Sequence, residues 1–150
     1  MTKTELAYVA GIIDGEGTIA LNRKYKTSKW RWPRISISNT DKRLIDYLLR
    51  TLAKFSPVLI RKPPRKANHR CAYEIRMNSD NALALVKKLL PYLRVPEKRR
   101  RAELLVTKYK KLTPRNGIYT KALVRKKEAF EREFLGIKSG GAGSQTLVLL

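Results

Sequence analysis

Glu16 stands between Gly15 and Gly17, directly after an apolar stretch in which small and aliphatic residues recur. Glycines on both sides let a ligand approach the backbone closely. The Glu16 carboxylate and the Gly15 carbonyl are hard oxygen donors of the kind Mg²⁺ takes, its other positions going to water and phosphate. Such a cation activates water and offsets charge on a leaving oxygen. An isolated acid after a helix is more often a solvated carboxylate, so its weight depends on its surroundings.

Other chemistries are poorly supplied. His69 is the only histidine and Cys71 the only cysteine, which removes a disulfide framework and a cysteine zinc cage. Nucleophilic triads built on histidine are equally thin. The 34 Lys and Arg face 12 Asp and Glu, a net charge of +22 over 150 residues. That imbalance points to a polyanionic partner and away from a small-molecule substrate. The charge is grouped: residues 18–40 carry six cations and no acid, 47–73 repeat the pattern, and only Glu103 interrupts 98–127. Three such tracts read as a nucleic-acid footprint rather than solvated faces. With no membrane span and no signal peptide, the expectation is a soluble intracellular protein.

The elements that must position these residues alternate in type. Leu6, Val9, Ala10 and Ile13 give a helix over 4–14, with Thr4 as cap. Residues 18–26 and 30–38 alternate as a hairpin turning near Thr27-Ser28, with Trp30 and Trp32 expected at its tip or in the core. Asn39-Thr40-Asp41 caps a second helix, and a second hairpin pairs 58–61 with 71–77, with Cys71 expected in the core. Asp80 caps a third helix, Pro96 starts a fourth running to about Leu112, and 120–135 suits a fifth. The fold class is α+β, an αββαββα-type domain over 1–135. Its curved four-stranded antiparallel sheet has helices on one face and a nucleic acid on the other. Residues 136–150, containing Ser139-Gly-Gly-Ala-Gly-Ser144, read as a flexible tail. On the polar face, Asn22, Lys24, Lys26, Arg34, Ser36, Arg61, Arg70, Glu74 and Arg76 are the expected base or phosphate contacts. Arg forks to guanine, Asn to adenine, and Glu accepts from cytosine.

Val9-Ala-Gly-Ile-Ile-Asp-Gly-Glu-Gly17 resembles the nine-residue signature of LAGLIDADG homing endonucleases, with Glu16 where the signature has Asp. One copy is present, which implies a single-motif member working as a homodimer. Ala7, Ala10, Gly11 and Asp14 share a stripe on which two helices can approach closely. By resemblance this stripe is the subunit interface, and each helix end delivers one acid to the middle of the DNA site. Asp14 is given a second role, satisfying backbone donors near the helix end.

The resemblance also implies that Lys98 enters the catalytic pocket to stabilise the phosphorane or order the attacking water, with Asn39 and Arg43 as solvent-organising neighbours. For Asn39 a helix cap is the competing reading. Arg99, Arg100 and Arg101 are read as surface phosphate contacts.

The expected activity is Mg²⁺-dependent hydrolysis (Mn²⁺ being an alternative cation) of both strands of a long pseudo-palindromic duplex. The sheets read the major groove, and cutting across the minor groove leaves short 3′ overhangs. The competing reading is an RNA maturase of the same fold, and a more distant one is a ribosomal-type RNA-binding module. Glu16 and Lys98 favour the nuclease.

Overall fold

The computed structural model describes residues 1–138. Helix α1 (Lys3–Glu16) leads into strands β1 (Gly17–Asn22) and β2 (Trp32–Asn39), then α2 (Lys42–Thr51). Strands β3 (Val58–Lys62) and β4 (Ala72–Asn78) follow, then α3 (Ser79–Leu89), α4 (Pro96–Leu104) and α5 (Lys121–Gly136). The sheet order is β1-β2-β4-β3, every pairing antiparallel. This is the α+β architecture expected, with α1 to α5 all touching the sheet.

Period-two alternation builds the core. Ile19, Leu21, Ile35, Ile37, Ile75 and Met77 leave one face of the sheet and are buried against Val9, Ala10 and Ile13 of α1. Ile45 and Leu48 of α2, Leu85 and Leu89 of α3, and Phe130 and Phe134 of α5 complete it. Each fully buried aliphatic contributes about 1.5–3 kcal/mol.

Several boundaries differ from the expectation. The first helix is capped two residues earlier, at Thr2 instead of Thr4, because Thr2 and Glu5 form a reciprocal capping box: Thr2 Oγ1 accepts from the Glu5 N–H at 3.1 Å and Glu5 Oε2 from the Thr2 N–H at 2.7 Å. Strand β1 stops at Asn22, since Tyr25 and Ser28 close a local turn instead of continuing the ladder. Asp41 rather than Asn39 caps α2. Asp80 lies in the first turn of α3 and pairs with Lys110, while the cap position is Asn78. The fourth helix does reach Leu112, but as an α-segment, a π-turn over Leu105–Tyr109 and a 3₁₀ turn over Lys110–Leu112. Most of the expected tail, 139–150, lies outside the described residues.

One junction permits no side chain. A Cβ on Gly17 would stand 2.7 Å from the Ile13 Cα, so only glycine lets the chain turn from α1 into β1 at that distance.

Candidate active site and nucleic-acid interface

The C-terminal end of α1 gathers residues from three elements. Glu16, the last residue of the helix, is exposed, and its Oε2 accepts from Asn39 Nδ2 at the end of β2. The Asn39 amide is itself fixed, because its Oδ1 accepts from the Asp41 N–H at 2.7 Å. Asn39 therefore closes a turn into α2 while holding the Glu16 carboxylate. From α4, Lys98 Nζ donates to the carbonyls of Ile13 and Asp14, both at 2.7 Å. It thus meets two carbonyls of the last helical turn, the Ile13 one shared with the Gly17 N–H, where the macrodipole favours a cation. Burial pushes the Lys98 ammonium below its ordinary pKa, with Asp14 and Glu97 opposing.

Lys98 is held in place by Asp14. The Asp14 carboxylate accepts from the backbone N–H of Arg94 at 2.7 Å and of Val95 at 3.3 Å, just before α4 begins. Those bonds fix the start of α4, and Lys98 follows within its first turn.

The polar face of the sheet carries a second ordered system. Register places Thr18, Ser36, Arg76 and Val58 in one row, Ala20, Arg34 and Asn78 in the next, and Ser38, Glu74 and Ile60 in a third. Arg34 is held from both sides: its Nε donates to Asn78 Oδ1 at 2.7 Å, and its Nη1 to Asn22 Oδ1 at 3.1 Å, the Asn22 amide being turned by these partners. Burial, then the neighbouring Arg76, lowers the Arg34 pKa. Glu74 is only 5 % exposed and pairs with both Arg76 and Lys62. The Arg76 hydrogen bond is the main reason its carboxyl pKa falls below the usual range. A preorganised guanidinium loses less entropy on meeting a base edge or phosphate.

A LAGLIDADG-like domain matches residues 3–89, more than half of the chain. The chain belongs to the LAGLIDADG family. Its structural neighbours agree. The homing endonuclease I-CvuI, in complex with its target, aligns with a TM-score of 0.66 at 18% identity, covering 94% of this chain and 86% of that one. The archaeal intron-encoded homing endonuclease I-Vdi141I, complexed with DNA, gives 0.59 at 13% identity, covering 92% and 86%. I-SmaMI, bound to an uncleaved DNA target with calcium, gives 0.57 at 21% identity; 89% of this chain covers 46% of that one. At these identities the likeness is one of fold. Among curated proteins none matches the chain in sequence.

Within the LAGLIDADG frame, Glu16, Asn39 and Lys98 all stand at the end of the motif helix. Arg43 does not touch them: its side chain is 92% exposed and bonds Asp41, whose carboxyl pKa is lowered to about 2, chiefly by that side-chain bond. The small-residue stripe is divided by the helix's own packing. Ala7 and Gly11 are exposed, whereas Ala10 is wholly buried in its own core and Asp14 is turned toward Arg94 and Val95. The open face runs Ala7, Gly11, Gly15, with Tyr8 and Ile12 beside it.

Among the expected DNA contacts, Asn22, Arg34, Ser36, Glu74 and Arg76 share the polar face. Arg61 does not: it pairs with Tyr73 on the core side of the edge strand and donates to Cys71 Sγ at 3.3 Å. Lys26 lies exposed in the first hairpin loop and Arg70 in the second, with His69. Lys24 sits over the Trp32 ring, 5.2 Å from its centroid. Cys71 lies just ahead of β4, outside the core, its thiol near the Lys62 carbonyl. Arg99 and Arg100 bond Glu103 and Glu133, and Arg101 bonds the carbonyls of Ile19 and Ile137, so this run mainly ties α4 into the fold.

Sequence reasoning missed Lys62 and Asn78. Parity along β4 puts Asn78 on the Glu74 face, whereas Lys62 takes that face in place of Arg61 only through the register of β3 on β4. No helix among the described residues is long and apolar enough to cross a membrane.

Proposed function

We propose that this chain is a site-specific DNA endonuclease that works as a homodimer and hydrolyses both strands of a long pseudo-palindromic duplex, leaving short 3′ overhangs. The carrying observation is the Glu16 carboxylate, exposed at the end of the motif helix and oriented by Asn39. Homodimerisation is supported by Gly11 and Gly15. A Cβ at either would meet nothing within 4 Å, so the single chain has no steric need for glycines that each cost its helix about 1 kcal/mol. A second copy seated on the open face gives them a purpose. The 46% span of I-SmaMI fits a working unit assembled from two such chains.

The site fits a divalent cation of the Mg²⁺ class, with Mn²⁺ as an alternative. Among the described residues of one chain there is no cluster of three His, Cys, Asp or Glu to cage a metal. Mg²⁺ needs only one or two carboxylates with phosphate and water, and Glu16 with the Gly15 carbonyl meets that need. When bound, the cation supplies charge neutralisation at the scissile phosphate and lowers the pKa of water.

The chain's own residues do the rest. Asn39 keeps the Glu16 carboxylate facing the DNA. Lys98 fixes the helix end and places a cation beside the developing phosphorane charge. Arg43, exposed at the surface and paired there with Asp41, reaches a phosphate. Arg34 and Arg76, with Asn22, Ser36 and Glu74, read base edges in the major groove while Lys24, Lys26 and Arg70 engage phosphates.

Glu16→Gln tests this. Substrate duplexes are first selected from a randomised library by sequencing cut ends in Mg²⁺. Cleavage by the variant should then fall more than about 1000-fold, in line with loss of a preorganised charged group. Its duplex affinity measured in Ca²⁺ should hold or tighten. Near-normal cutting overturns the assignment.

A further inference from the structure

At the opposite end of the sheet from the motif, a cleft opens between the first hairpin, the start of α3 and the loop leading to α5. It encloses about 930 Å³. Trp30, Trp32, Tyr109, Tyr119, Arg115 and Lys127 are among its walls. Trp30 and Tyr119 stack at 5.0 Å between centroids with a 31° tilt, which joins the hairpin to the loop. Trp32, 40% exposed, stands on the boundary with a smaller pocket on the polar face that also contains Asn22 and Arg34. The cleft is thus continuous with the DNA-facing side.

Charge and aromatic surface are interleaved here. Arg31 and Lys110 are neutralised by Glu131 and Asp80. Arg115 is exposed at the loop tip and has no ion-pair partner among the described residues. Lys127, 1 % exposed, donates to Thr113 Oγ1 at 2.6 Å and lies 4.1 Å from the Tyr109 ring centroid. An ammonium has three donors, so Lys127 keeps capacity for another acceptor at the cleft floor.

We infer that this cleft is a second nucleic-acid site, which takes unpaired nucleotides of a single strand, bases against the aromatic rings and phosphate on Arg115. Duplex DNA fits it poorly, because its bases are stacked on one another and offer edges and phosphates but no free faces. Unpaired bases offer π-faces, and stacking each on an aromatic side chain contributes about 1–3 kcal/mol. The volume lies within the range of pockets that enclose small ligands, room for a nucleotide or two. Ring faces and phosphate are common to RNA and DNA, so the shared chemistry is the unpaired nucleotide.

Both tryptophans of the chain line this cleft, so their fluorescence reports on it directly. The wild-type protein is titrated with hexathymidylate, hexauridylate and a short hairpin duplex at moderate salt. Both hexamers should quench the tryptophans, and Arg115→Glu should weaken them at least fivefold while changing the duplex less than twofold. Trp32→Ala, read by anisotropy of labelled hexamers, should weaken them similarly, and Arg34→Ala should leave them bound. A stronger response to one sugar identifies the strand and supports the site. Absence of hexamer binding, or equal loss of hexamer and duplex in Arg115→Glu, overturns it. None of these readouts requires cleavage, so failure here is distinguishable from failure at Glu16.

Discussion

The two ends of the sheet each bring a lysine out of water, and they do so in opposite ways. At the motif end Lys98 is half-buried and finds two main-chain carbonyls at the negative end of a helix. At the outer end Lys127 is more deeply buried and finds one hydroxyl and two aromatic rings. The pKa of both groups falls because burial disfavours the ammonium. For Lys127 it reaches about 8, with only Glu131 opposing. A cation placed on helix carbonyls meets acceptors at the negative end of the helix dipole. A cation placed over rings meets the ring quadrupole instead.

The largest consequence falls on Lys98. Lys98→Met removes the charge and leaves two helix-end carbonyls without that donor, so cleavage should drop about 100–1000-fold. Stability should fall by about 1–3 kcal/mol. Single-turnover cleavage beside a denaturant melt separates the two. Unchanged cleavage would mean that the motif end needs no cation of its own.

Lys127 should behave in the opposite sense. Between pH 8 and 10.5 the unfolded chain binds more protons at this residue than the folded one, so stability rises with pH across that window. Below pH 8 the charged form is a standing cost of up to about 3 kcal/mol. Lys127→Met carries no such cost, so its stability relative to wild type should be highest near pH 7. That difference should shrink by about 2–3 kcal/mol by pH 10.5. Parallel melts of the two proteins across this range check it, and a constant difference would contradict the buried-cation account.

The smallest effect sharpens what the motif helix is for. Gly11→Leu fills open space in one chain and improves helix propensity by about 1 kcal/mol, so a monomer should melt slightly later. If a second helix packs there, the dimer should weaken tenfold or more in sedimentation equilibrium.

The pleat parity of β1, β2 and β4, the helical spacing of α1 and the acid between two glycines are all local patterns, and residues a few positions apart suffice to read them. For that reason the α+β class, the helix-hairpin order and the placing of Glu16 at the end of the first helix were legible from the chain alone. The face of Arg61 was not, because an edge strand rich in cations has weak alternation and its register is set by β4. Nor was the division of the motif stripe. Helical spacing puts Ala7, Ala10, Gly11 and Asp14 near one another, and only packing against β2 and α3 decides that Ala10 turns inward. Asp14 on Arg94, Lys98 on Ile13, and Lys127 beneath the outer cleft join residues distant in sequence or buried among others. No spacing rule encodes such pairings. They exist because the folded core brings these groups together, where each buried polar atom must find a partner.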